Sequence, residues 1–195
     1  MRKYIITAVM GITLTALVAV LTTVSTTASA QQIQWYSFEQ ALEMNAQRAQ
    51  QNMPTKKIFV DVYTDWCGWC RHMDVNTFAN PEIAKYMQQN FINVKLNAER
   101  TDTVRINSQV FVNKNNSGGA STRRGAYHDL GPLLLRGQMS FPSYTILDEN
   151  GQQLDVIAGY KDAKSFEVIL HFIGDDAYKT TKFDEYSKTF KGKIQ

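Results

Sequence analysis

Cysteine is nearly absent. Two stand among 195 residues, too few for a disulfide scaffold or a four-thiolate zinc site. Proline and glycine are also scarce, four and eleven, while 44% of the chain is apolar, which excludes a collagen-like or disordered polymer. Neither sign of charge dominates: 21 Lys and Arg face 18 Asp and Glu for a net of +3, and Arg2 and Lys3 supply most of that excess. A chain so near neutrality has no sequence-independent hold on a phosphate backbone, which argues against nucleic acid as a partner. No repeat or low-complexity tract interrupts it, and the length suits one domain. The two cysteines, Cys67 and Cys70, lie three positions apart.

The one long apolar run opens the chain. Arg2 and Lys3 precede Tyr4 to Leu21, uncharged and mostly apolar, and Ser25-Thr26-Thr27-Ala28-Ser29-Ala30 then turns small and polar, ending in the A-x-A pattern of a signal-peptidase site. Residues 1–30 therefore read as a signal peptide, with cleavage expected after Ala30 and a domain over 31–195 working in the periplasm or secreted. The alternative is an uncleaved membrane anchor, because about 18 residues approaches a bilayer span. Thr7, Thr13 and Thr15 weaken that run, and no cysteine follows it for lipidation. A mature chain of about 165 residues buries roughly 70% of its unfolded surface and can be stable without staples.

Along the rest of the chain strands and helices alternate. Ile33 to Tyr36 suits a short strand, and Ser37 with Gln40 forms a capping box before Phe38, Ala41, Leu42, Ala46 and Ala49 at helical spacing, stopped by Pro54. Lys57 to Tyr63 is β-branched and aromatic, a buried strand interrupted by Asp61. Asn80-Pro81 starts a helix through Ile83, Tyr86 and Met87, and Phe91 to Leu96 is a second strand. From Ala98 to about Thr122 no period holds, and Asn115-Asn116-Ser117-Gly118-Gly119 reads as a loop, so this stretch is expected to be an insertion. Tyr144 to Leu147 and Leu154 to Ala158 flank a turn as a hairpin; Ser165 to Phe172 is an amphipathic helix, and Asp175 is expected to cap another running to about Phe190. The pattern is that of an α/β sandwich around a mixed sheet.

Thr64-Asp65-Trp66-Cys67-Gly68-Trp69-Cys70-Arg71-His72 follows the strand and leads into Met73 to Phe78, which can be helical. That places Cys67 at a helix N-terminus, where unpaired amides carry about half a positive charge and favour thiolate over thiol. Cys70, one turn inside, has the spacing to displace a substrate from Cys67 and close the internal bridge. Three other readings stay open. A structural bridge would close a four-residue loop worth at most roughly 2 kcal/mol; a metal site would need His72 as third ligand, two residues further along the helix; or the CxxC is inert on a binding module. Arg71 and His72 either add positive charge at the helix start or form a solvated face.

Val60 to Cys70 resembles the active-site segment of the thioredoxin superfamily. The longer match, Asp65-Trp66-Cys67 through Thr77-Phe78 and Pro81-Glu82-Ile83, is similar to secreted thioredoxin-like proteins and to the periplasmic C-terminal domain of the transmembrane thiol:disulfide interchange reductases. The similarity spans about residues 33 to 173 and not the last twenty. It implies a thioredoxin-like α/β sandwich, a central mixed β-sheet flanked by helices, with the stretch at about 98–124 as an insertion before the cis-proline strand; the helical pattern at about 175–190 is then a C-terminal extension beyond it. It further implies a buried acid six residues before the nucleophile, Asp61; a neighbouring lysine on the next strand, Lys95; and a cis-proline at Phe141-Pro142.

Each landmark has a physical reason. Desolvation raises a buried carboxyl, letting Asp61 exchange a proton with Cys70 near neutral pH, while Lys95 moderates the shift. A cis-Pro142 exposes the Phe141 backbone for a substrate strand. The alternatives are a solvent-facing Asp61, a solvated Lys95 and an ordinary trans Pro142. Trp66 is expected to pack and fix the loop, and Gly68-Trp69 tunes a reduction potential that varies by about 150 mV among relatives. Cys67, Cys70, Asp61 and Lys95 are thus the expected catalytic residues, and Trp66, Gly68, Trp69, Phe141 and Pro142 the substrate contacts. The expected activity is thiol:disulfide exchange as a reductant, with no metal and no cofactor beyond the Cys67–Cys70 disulfide. Expected partners are exported protein disulfides or thiols and a membrane or periplasmic electron donor, with a membrane involved only if the leader stays. The competing function is a thioredoxin-fold binding module whose dithiol is incidental.

Overall fold

A computed structural model describes residues 32–115 and 124–194. The signal segment, its cleavage site at Ala30 and residues 116–119 of the expected loop lie outside the described residues. A short strand β1 (Trp35–Tyr36) precedes helix α1 (Phe38–Gln50), where Ser37 Oγ accepts from Gln40 N at 3.1 Å and Gln40 Oε1 accepts from Ser37 N at 2.8 Å, the expected capping box. Strand β2 (Lys57–Tyr63) leads into α2 (Gly68–Met73), which widens into a π-helical segment (Asp74–Phe78). Helix α3 (Pro81–Asn90), capped by Asn80, is followed by β3 (Phe91–Asn97).

The five-stranded sheet runs β1-β3-β2, then β6 (Ser143–Leu147) and β7 (Gln153–Ala158), with β1 and β2 parallel to β3 and the β2-β6 and β6-β7 pairs antiparallel. Helices cover both faces, which is why β2, at the centre, is hydrophobic almost throughout. Alternation along β2 sends Ile58, Val60 and Val62 into one cluster with Phe38, Ala41, Val94 and Leu130. Phe59 enters the opposite cluster with Phe78, Ile83, Met87, Tyr144 and Phe166, the last from α5 (Ala163–Gly174). Asp61 follows Phe59 on this second face, opposite Lys95 of β3 and Tyr144 of β6.

Two expectations need correction. The aperiodic stretch after Ala98 contains a hairpin, β4 (Val104–Ile106) and β5 (Gln109–Phe111), turning through Asn107 at φ 54°, and a helix α4 (Leu130–Leu134) follows it. Val104 is buried against the sheet, so the excursion packs on the fold. Asp175 is not an N-cap. It ends α5, its carboxylate taking hydrogen bonds from Tyr86 Oη at 2.6 Å and His171 Nδ1 at 2.7 Å, and Asp176 turns the chain through φ 61°. The extension is therefore broken into a 3-10 turn (Ala177–Lys179) and α6 (Phe183–Thr189).

Candidate active site

The turn from β2 into α2 is closed by Cys67 N–H donating to the Thr64 carbonyl at 3.0 Å. Cys67 has extended backbone and occupies the N-cap of α2, where its Sγ accepts from Cys70 N–H at 3.0 Å, so sulfur takes the place of a capping oxygen. The two sulfurs are joined in a disulfide, with Cα atoms 5.3 Å apart. Both cysteines are 4% exposed, whereas Trp66 and Trp69, which precede them, are far more open at 39% and 61%. Trp69 packs near Tyr160 and His72, and Arg71 Nη1 reaches back to donate to Asp65 O at 2.8 Å. The His72 ring meets Tyr160 at a tilt, 4.9 Å between centroids, and its Nδ1 meets Asn76 Nδ2 at 3.1 Å. Gly68 opens α2, and a Cβ there would meet only Arg71 Nη2.

Behind the cysteines Asp61 is 2% exposed, so the solvent-facing alternative does not hold. Lys95 Nζ lies 3.4 Å from Asp61 Oδ2 and also pairs with Asp74 of the π-helical segment; the Asp61 Oδ1 atom is buried with no hydrogen-bond partner among the described residues. The ammonium sits over the rings of Trp35, Tyr63 and Phe78 at 5.1–5.7 Å, half-buried rather than solvated. Burial pushes the Asp61 carboxyl up to about 7; Lys95 pulls it down and the Asp74 charge pushes it up. Tyr63 is raised for the same reason, burial first and then the neighbouring carboxylates.

Asp74 escapes a reading of the motif alone, although its position four residues beyond Cys70 puts it on the same helical face. The Phe141-Pro142 bond is cis, and Gly159 N–H donates to Pro142 O at 2.8 Å, pinning this loop to the end of β7. Phe141 meets Trp66 edge-on at 5.9 Å between ring centroids, which brings the cis-proline loop beside the cysteine loop. Trp66 also donates from Nε1 to Glu99 Oε2 at 2.9 Å and lies under the Arg124 guanidinium at 4.2 Å. Glu99 and Arg124 carry no local signal, since they meet Trp66 only when the chain closes on itself.

The site thus sets the Cys67 sulfur at a helix N-terminus, its disulfide partner Cys70 one turn in, and a buried acid whose pKa is pushed up to about 7. A human protein, spermatogenesis-associated protein 20, is 31% identical over 87 residues, covering 45% of this chain and 10% of its own length. The chain spans about a tenth of the length of the curated relatives it matches. Among solved structures, a DsbH oxidoreductase superposes with a TM-score of 0.48 at 18% identity, over 77% of this chain and 87% of its own. The DsbD C-terminal domain of Neisseria meningitidis, in its oxidised form, does so at 0.41 and 17%, over 76% and 100%. Residues 20–134, more than half of the chain and including both cysteines, Asp61, Asp74 and Lys95, match the family described as Thioredox_DsbH, protein of unknown function, DUF255, and the chain belongs to that thioredoxin-like family.

Proposed function

We propose that the protein is an exported thiol:disulfide oxidoreductase that passes two electrons from its Cys67–Cys70 dithiol to disulfides of other exported proteins. The observation that carries this is the Cys67 sulfur capping α2, where the Cys70 amide and the helix N-terminus stabilise an anion. In the reduced protein Cys67 thiolate attacks one sulfur of the substrate disulfide; that bond breaks, a mixed disulfide forms, and the first substrate thiolate leaves and takes up a proton. Asp61 carboxylate takes the Cys70 proton, Cys70 attacks the Cys67 sulfur, and the second substrate thiolate departs as the internal disulfide closes. Trp66, Gly68 and Trp69 of the cysteine loop and Phe141 and Pro142 of the adjoining cis-proline loop would contact the substrate chain. A membrane or periplasmic dithiol donor would return two electrons, and no other cofactor enters. Residues 1–30 would direct the chain across the membrane and be removed.

Cys70→Ser should accumulate disulfide-linked adducts through Cys67, seen on non-reducing gels of the exported fraction and absent from the Cys67→Ser,Cys70→Ser double variant. Absence of adducts, with the variant folded, would leave the binding-module reading in its place.

A further inference from the structure

Two contacts to Trp66 come from the excursion between β3 and α4, and the exchange chemistry uses neither. One Glu99 oxygen accepts Trp66 Nε1–H at 2.9 Å while the other accepts Gly125 N–H at 2.7 Å, and the Arg124 guanidinium covers the indole at 4.2 Å. The indole meets Phe141 at 5.9 Å, and Phe141 meets Tyr127 at 5.7 Å. These contacts close a ring from the cysteine loop to the cis-proline loop, on to the far end of the excursion, and back through Glu99. The excursion is tied at its mouth: Asn113 Nδ2 donates to Arg100 O at 3.1 Å and Ala126 O at 2.6 Å, and His128 N–H donates to Ala98 O at 2.8 Å. Glu99 and Arg124 are therefore presented from a fixed base.

We infer that Glu99 is a positioning residue which, with Arg124, fixes the Trp66 indole as an apolar wall beside Cys67, and that this wall selects extended polypeptide disulfides over small diffusible ones. The inference rests on the oxidoreductase reading above. An indole 39% exposed beside the nucleophile offers apolar area to a chain running on from the attacked cysteine, and holding it in place beforehand removes the cost of ordering it on binding. A disulfide with one residue on either side of each cysteine, as in glutathione disulfide, has no extended chain to lay along the wall, so its rate depends chiefly on the thiolate.

The test compares steady-state reduction of insulin, as the polypeptide disulfide, with reduction of glutathione disulfide, dithiothreitol serving as donor. Glu99→Ala should raise the KM for insulin about fivefold to tenfold, the effect of one lost hydrogen bond to a partly exposed group. Its kcat, and kcat/KM for glutathione disulfide, should stay within about twofold of wild type. Glu99→Gln, whose single amide oxygen can still accept the indole N–H but whose NH2 then faces the Gly125 N–H, should recover only part of the insulin KM, and Arg124→Ala, on the surface, should raise it in the same direction. Equal loss on both substrates in Glu99→Ala and Arg124→Ala, or no loss on either, overturns the inference while leaving the oxidoreductase reading intact. A wild-type protein unable to reduce either substrate overturns that reading, and this inference with it.

Discussion

The raised Asp61 carboxyl should make stability depend on pH with a sign that follows from its burial, and on the proposed mechanism exchange as well. Its carboxyl is pushed up to about 7, from an ordinary value of 3.8. Below about pH 4 it holds a proton in folded and unfolded chains alike, and its contribution is fully present; between there and about 7 the unfolded chain has released a proton the folded chain retains, so stability falls as pH rises and levels off above. Asp61→Asn removes that slope. The variant should gain on the wild type as pH rises from about 4 to about 8, by up to about 4 kcal/mol at the upper end. Urea unfolding at the two pH values checks this, and an unchanged slope would assign the titration elsewhere. The same substitution should slow resolution of a mixed disulfide at Cys67 more at about pH 6.5 than at about pH 9, where Cys70 ionises unaided; equal slowing would remove the proton role. Asp74→Asn should move the inflection of that profile to lower pH, because the Asp74 charge is one of the influences raising Asp61.

At the scale of elements, the helix after the cysteines is the unusual one. Its regular turn ends at Met73, and the π-helical segment Asp74–Phe78 carries Asp74 to Lys95, Thr77 to the loop before α5, and Phe78 against Trp35, Phe59 and Phe166. Thr77 is fully buried, and its hydroxyl donates to Lys161 O at 2.7 Å. Thr77→Val keeps the shape and orphans that carbonyl, so it should cost about 1–2 kcal/mol in chemical denaturation, with Thr77→Ser costing less; a Val variant as stable as wild type would mean that water replaces the hydroxyl. None of this widening is legible in the sequence, because it satisfies partners far along the chain. What is legible rests on local signals: Ser37 with Gln40, Asn80 with Pro81, the apolar run at 57–63, and the strand-to-CxxC-to-helix order that sets Cys67 at an N-cap. Strands of three residues at Val104–Ile106 and Gln109–Phe111 are too short to show a period. Asp175 misleads because an aspartate ahead of a helical pattern looks like a cap, whereas Tyr86 and His171 already occupy its carboxylate.

For the molecule as a whole, the last twenty residues are where the thioredoxin resemblance stops and where the structure adds a strap. It is fastened at two ends. Asp176 pairs at 2.8 Å with Lys57, a buried lysine at the start of β2 that Glu149 also holds. At the other end Glu167 of α5, 4% exposed, accepts Lys193 N–H at 2.8 Å and Ile194 N–H at 3.1 Å, and Ile194 packs on the cluster built around Phe59 and Phe166. A side chain at Gly192 would run into that carboxylate. Two amides on one buried carboxylate make a charge-assisted anchor, stronger than a neutral pair. Glu167→Gln keeps the shape but turns an N–H toward one of the two amides, so it should cost about 1–3 kcal/mol and expose the Lys193 and Ile194 amides to rapid hydrogen exchange. The named contacts of the strap do not include Cys67, Cys70, Asp61 or Trp66, so the rate of disulfide exchange should be unchanged. Retained protection in the variant would mean that Ile194 packing alone holds the tail, and a slowed exchange rate would mean that the strap reaches the cysteines through α5 and the π-helical segment it packs against.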